Sequence, residues 1–346
     1  MENSANFSNA TQELPRGKDA VIMGILNVIE VLVGVPGNCL VIIAVLLSRK
    51  LQTALNAFIV NLAVADLVTC LVLTLHIVGD WARNYFHSLE PICQVALSIT
   101  HTCIGCGVFT LATIALNRFL LVFTPRSTYQ QIFRPRHIVI WIILLWSVSA
   151  MISILPPLAF NIGKLGFDLP TQSCLSLTDF PTSKQYEHIL VFGFYPVPLV
   201  IIIVCYTGIL IKVVKHNKRL KHNKEPGGES RATCSNERSE FQIENTSRKE
   251  QIITPMEIRV TKNFFFVFCA YVICLTPYAI CSFTKCAIAA YTGAIVIANS
   301  VVNPFIYGLN HPIFREVFVS FFKCRPVPEP STILNCMKRM VSTDSN

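Results

Sequence analysis

Charge is scarce in this chain. Of its 346 residues only 14% are Asp, Glu, Lys or Arg, against about 25% in an average soluble domain. The deficit falls in long stretches with no charge at all, and 52% of the chain is apolar. A soluble globular protein is excluded, as are disordered, collagenous and small disulfide-framework chains. Equally absent are a four-ligand Cys/His set with zinc spacing and a nucleophile, base and orienter set, so neither a zinc domain nor an enzyme is expected. Most of the 14 cysteines lie inside apolar runs, where a thiol behaves as a small hydrophobe. Residues Met1 to Asp19 have no basic-then-apolar pattern, so no cleavable signal peptide is expected and the first apolar run must anchor the chain.

What is present instead is seven runs long enough to cross a bilayer. Four carry no charge: Ile138 to Phe160, Ile189 to Ile211, Asn263 to Thr284 and Cys286 to Leu309. Three more carry one or two ionisable residues: Ala20 to Ser48 with Glu30, Ala54 to Val78 with Asp66 and His76, and Ile92 to Leu116 with His101. About 20 apolar residues at 1.5 Å rise cross roughly 30 Å of hydrocarbon, and only helices or a closed barrel satisfy the backbone there. The expectation is an all-α membrane protein, a seven-helix bundle over residues 20–309.

Orientation follows from the basic residues. With the N-terminus outside, 23 of the 29 Lys and Arg fall on the cytoplasmic side, twelve of them between Lys212 and Lys262. The net charge of +9 therefore reads as topology and attraction to anionic lipid, not as nucleic-acid binding. Residues 1–19 become an extracellular tail, in which Asn6 and Asn9 open two N-glycosylation sequons. Residues 213–256 read as a flexible cytoplasmic loop. Residues 310–323, with Ile313, Val317, Phe318, Phe321 and Phe322 at helical spacing, read as an amphipathic helix on the membrane surface. Cys324 follows as a palmitoylation candidate at the head of a cytoplasmic tail, 324–346.

Ionisable groups inside a membrane cost about 2.5 to 3.5 kcal/mol each and ask for a reason. Asp66 has polar company in Asn38, Asn299, Ser300 and Asn303. Together they are either a hydrated cation or proton site or a structural hydrogen-bond network. Arg118, at the inner end of the third run, and Glu257, near the inner end of the sixth, are either a pair that breaks when the helices part or helix-end groups reaching the headgroups. Pro36, Pro156, Pro157, Pro196, Pro198, Pro277 and Pro304 punctuate the spans, each removing one intrahelical hydrogen bond.

Taken together these residues resemble the rhodopsin-like (class A) G-protein-coupled receptors, from about Ala20 to Phe322. The resemblance rests on Gly37-Asn38, Leu62-Ala63-Val64-Ala65-Asp66, Cys93 with Arg118 25 residues on, Pro125, Trp146, Pro198, Tyr206 and Asn303-Pro304-Phe305-Ile306-Tyr307. It implies a disulfide between Cys93 and Cys174, worth about 4 kcal/mol by chain entropy. It implies a sodium ion as allosteric modulator at Asp66 with Asn299 and Ser300, and no other cofactor. Arg118, Tyr206 and Tyr307 are expected to rearrange when a heterotrimeric G protein docks.

Departures from the pattern are Asn117, where the family usually carries an acid, Leu275, where it carries tryptophan, and Gly107, where it carries serine. Glu257 is then the expected restraint on Arg118. In character the chain is closest to melatonin-like, fatty-acid-like and invertebrate orphan receptors, and no subfamily is assigned. By analogy the ligand pocket is lined by Thr100, His101, Cys103, His188, Val191, Tyr278, Ser282 and Gly293. Thr100 stands where amine receptors carry aspartate, and Ile297 where opsins carry the Schiff-base lysine. The expected extracellular ligand is neutral or weakly acidic and amphipathic, with His76, His101, His188 and Tyr278 as polar handles. These histidines are either pH-titrating groups or hydrogen-bonded packing. The alternative reading is a constitutively active or non-signalling receptor-fold scaffold. A transporter is disfavoured by the lack of an internal hydropathy repeat.

Overall fold

A computed structural model describes residues 17–81, 90–168, 173–177, 179–222, 255–284 and 291–326. The sequons at Asn6 and Asn9, most of the 213–256 loop and the tail beyond residue 326 lie outside these, as do the side chains of His76 and Glu257.

Ten α-helices are described: α1 (Gly17–Leu47), α2 (Ala54–Trp81), α3 (Glu90–Phe123), α4 (Arg126–Ile132), α5 (Pro135–Ala159), α6 (Ser183–Phe194), α7 (Pro196–His222), α8 (Pro255–Phe283), α9 (Thr292–Asn310) and α10 (Pro312–Phe322). Seven spans long and apolar enough to cross a membrane lie among them, α6 and α7 making one. The third continues seven residues beyond the apolar run, so Asn117 and Arg118 sit inside a helix. The seventh is described only from Thr292. Between α5 and α6 the chain adds what helical periodicity did not suggest: a hairpin of β1 (Leu165–Asp168) and β2 (Ser173–Ser176), antiparallel with Phe167 opposite Cys174.

Proline chemistry sets several boundaries. Pro135 stands in the first turn of α5, and Pro312 in that of α10, where a missing N–H costs nothing. In the fifth span Pro196 offers no N–H to continue the ladder, and the helix divides at Tyr195. The N–H of Leu199 donates back to the Tyr195 carbonyl at 3.2 Å and restarts it.

Close helix approach is licensed by missing side chains. A Cβ on Gly37 would lie 3.1 Å from the Pro304 ring, which seats α1 against α9. One on Gly105 would run into the Phe194 ring, which seats α3 against α6. The apolar core runs through the inner two-thirds of the bundle, with Phe58, Leu62, Ile114, Phe264 and Tyr307 almost fully enclosed. Phe314, Val317 and Phe318 dock α10 onto it, while Phe322 remains exposed. Cys324 lies exposed just beyond.

Candidate functional site

Beneath the outer surface the Cys93 and Cys174 sulfurs are bonded, tying β2 to the first turn of α3. Lys164 and Glu90, 3.2 Å apart, tie the residue before β1 to the same turn.

The residues assigned to the ligand pocket divide into two groups. His188 Nε2 lies 3.3 Å from the Ser282 carbonyl, and its ring stacks on Phe283 with centroids 4.5 Å apart, joining α6 to α8. His101 turns to Tyr186, with Nδ1 3.1 Å from the phenol oxygen. That phenol donates to the Ser153 carbonyl at 2.9 Å, so Tyr186, fully buried, joins α3, α5 and α6. Thr100 is buried and its hydroxyl oxygen has no hydrogen-bond partner. Cys103 bonds Thr69 of α2, on the side of the Asp66 network. Val191 is buried on α6, Tyr278 is half-buried on α8, and a Cβ on Gly293 would meet nothing within 4 Å.

Midway through the bundle the polar residues converge. Asn303 Nδ2 donates to Asp66 Oδ2 at 2.9 Å, and the Ser300 hydroxyl also bonds that carboxylate. Asn38 Nδ2 bridges the Gly34 and Ser300 carbonyls, each at 3.0 Å. The side-chain oxygens of Asn299 and Asn303 are buried without a partner, an oxygen-rich lining that suits a hard monovalent cation. Gly107 has no side chain and supplies no hydroxyl here; a Cβ on it would stand 3.3 Å from Leu62 Cδ1. A second polar knot was not anticipated. Asn61 donates to Thr110 Oγ1 at 2.8 Å and accepts from Trp146 Nε1 at 2.9 Å, joining α2, α3 and α5.

At the inner end, the Arg118 guanidinium carbon lies 5.6 Å over the Phe264 ring. Phe264 in turn packs against Tyr307 (6.2 Å) and His311 (6.3 Å), and Tyr307 stacks on Phe314 (5.6 Å). Tyr206 stacks on Phe268 of α8. Asn117 is engaged elsewhere: its Nδ2 donates to the Tyr129 hydroxyl of α4 at 3.1 Å. Burial raises the Tyr129 phenol above its usual range, while the Asn117 bond and the Arg118 charge pull it back. His311 caps α10, its Nδ1 accepting the Phe314 N–H at 3.4 Å. Burial, helped by the nearby Arg118 charge, pushes its pKa down to about 3, so the ring is neutral. Helical spacing alone gave His311 no role. A capping residue immediately before a proline was the available signal.

The pattern of the 7 transmembrane receptor (rhodopsin family) matches residues 37–307. Melatonin receptor type 1A of Mus musculus is 26% identical over 342 residues, covering 91% of this chain and 87% of its own length. The 5-hydroxytryptamine receptor 1F of Homo sapiens is 26% identical over 338 residues, covering 83% and 89%. Squid rhodopsin shares the fold with a TM-score of 0.68 at 22% identity, over 90% of this chain and 89% of its own. The chain belongs to the 7 transmembrane receptor (rhodopsin family). It is a G-protein-coupled receptor, a multi-pass protein of the cell membrane, and not an enzyme.

Proposed function

We propose that this receptor binds a neutral or weakly acidic amphipathic ligand from the outside and activates heterotrimeric G proteins as the inner end of α8 swings away from Arg118. The observation that carries the ligand class is Thr100: buried, uncharged and unpartnered at the position where amine receptors hold an anionic counter-charge. His188 and Tyr278 offer hydrogen bonds to a neutral or acidic group. The likeness to melatonin receptor type 1A points the same way and the equal likeness to 5-hydroxytryptamine receptor 1F the other, so the reading rests on Thr100.

In this reading Asp66, Asn299, Ser300 and Asn303, steadied by Asn38, hold a sodium ion that favours the resting bundle. Pro277 and Pro304 permit bending, and Arg118, Tyr206 and Tyr307 rearrange at the inner end, with Glu257 as a further partner for Arg118. Residues 20–309 are the receptor domain. Cys324 is a lipid anchor, and Asn6 and Asn9 carry sugar.

The test is nucleotide exchange on a panel of purified G proteins with reconstituted receptor, with and without a library of lipids and indoles. Exchange driven by a neutral or acidic amphiphile is expected. A monoamine whose potency survives Thr100→Val overturns the ligand class, and no exchange under any condition favours the scaffold reading.

A further inference from the structure

Helix α1 turns one stripe of side chains into the bundle at spacings of three, four and four residues: Asn27, Glu30, Gly34 and Asn38. This is the period of one helix face. Asn27 and Glu30 are each 8% exposed and Asn38 1%. Protein atoms alone provide that cover, so Glu30 faces neighbouring helices and not acyl chains. Inward of Asn38 the same stripe continues with the apolar Val41 and Val45. The polar surface is thus confined to the outer half of the helix.

Glu30 Oε2 is buried with no hydrogen-bond partner. Its carboxylate lies within electrostatic reach of the Cys70 thiol of α2 and of Cys274 of α8. A Cβ on Gly34 would collide with Cys70 Sγ, so those two residues share one level of the bundle. Glu30 lies one turn outward of that level on α1. Asp66 lies one turn inward of it on the antiparallel α2. At 1.5 Å per residue the two carboxylates are separated by about 12 Å along the bundle axis.

An ionised carboxylate cannot remain bare in such an interior: it takes up either a proton or a cation. Asp66 is too distant to share an ion with it, so a divalent cation would find only one anionic ligand where it ordinarily takes several oxygens. Among the described residues no three His, Cys, Asp or Glu side chains cluster to hold a metal, which leaves no site for a transition ion. A hard cation of single charge needs less: one carboxylate, the Asn27 amide oxygen a turn away, and water.

We propose that Glu30 is a second cation-binding residue, taking a monovalent inorganic cation such as sodium in the polar stripe of α1, about two helical turns outward of Asp66. The site goes beyond the sodium reading of Asp66 and stands whether or not that reading holds.

The experiment uses full-length receptor in lipid nanodiscs. Thermal midpoints are followed by tryptophan fluorescence as NaCl replaces choline chloride at constant ionic strength. With Asp66→Asn, sodium is expected still to raise the midpoint, saturably and by about 3 °C. Adding Glu30→Gln abolishes that response, and Glu30→Asp keeps it with half-saturation moved to higher sodium. In the unaltered receptor Glu30→Gln alone turns a two-phase titration into one phase, which keeps the proposal testable if the double variant does not fold. A cooperative melt in Asp66→Asn with no sodium response overturns the proposal, while a response seen only with Asp66 intact leaves the Asp66 reading standing. A response that survives Glu30→Gln in the Asp66→Asn background also overturns it. Stabilisation by phenethylamine in place of sodium, lost with Glu30→Gln, overturns both the inorganic-cation assignment and the neutral-ligand class.

Discussion

Arg118 rests its guanidinium on the face of Phe264, 5.6 Å from the ring centre, and so couples α3 to α8. Phe264 is held in turn by Tyr307 and His311, so the contact joins four helices at the surface where the inner end must open. A shielded cation–π contact contributes about 1 to 2 kcal/mol.

Removing the ring should therefore shift the resting balance. Phe264→Leu is expected to raise ligand-free nucleotide exchange about five- to tenfold at matched surface expression, while Phe264→Tyr keeps it near the starting level. Unchanged exchange in Phe264→Leu would return the restraint to Glu257.

A neighbouring residue pulls the other way. Asn263 is fully buried with both amide atoms unpartnered, which costs about 1 to 3 kcal/mol in the closed bundle and is relieved once water reaches it. Asn263→Leu should lower basal exchange several-fold and raise the thermal midpoint. A rise in basal exchange would contradict this.

Asn117, standing where the family pattern has an acid, bonds Tyr129 and links α3 to α4. Tyr129→Phe should cost about 1 kcal/mol of stability. Asn117→Asp should lower basal exchange by giving Arg118 a carboxylate. Both are read from melting and exchange on the same preparations.

The sign of the pH dependence follows from His311. Its folded pKa is pushed down to about 3, below the ordinary value of 6.5. With α10 undocked the ring takes its proton near 6.5, so docking is at full strength above that and weakens as pH falls toward 3. Over that window about 1.4 kcal/mol is lost per pH unit. His311→Asn keeps a capping acceptor but cannot titrate, and should flatten this part of the stability profile measured by melting from pH 7 to 4. An equally steep profile in the variant would assign the loss to other groups.

The seven spans were legible because length and lack of charge leave little choice in a bilayer, and Asp66, Asn38 and Asn303 because polar side chains there demand partners. The broken fifth span was only half legible: Pro196 announced a defect, but not that the helix would resume within one turn. Asn61, Tyr186 and Phe264 were not legible at all. Each is unremarkable in its own helix and gains meaning from a partner more than 40 residues away, Thr110, His101 and Arg118 respectively. At Asn117 the family pattern names the missing acid but not the tyrosine that the amide bonds instead.

The hairpin above the bundle is moored twice to one turn of α3, by Cys93–Cys174 and by Lys164–Glu90. Two moorings on a single rigid element suppress rotation as well as lifting, so the hairpin keeps one orientation on α3 while both hold. A reductant cuts one mooring and leaves a pivot, and a molecule already inside would then leave faster with little change in how it is held.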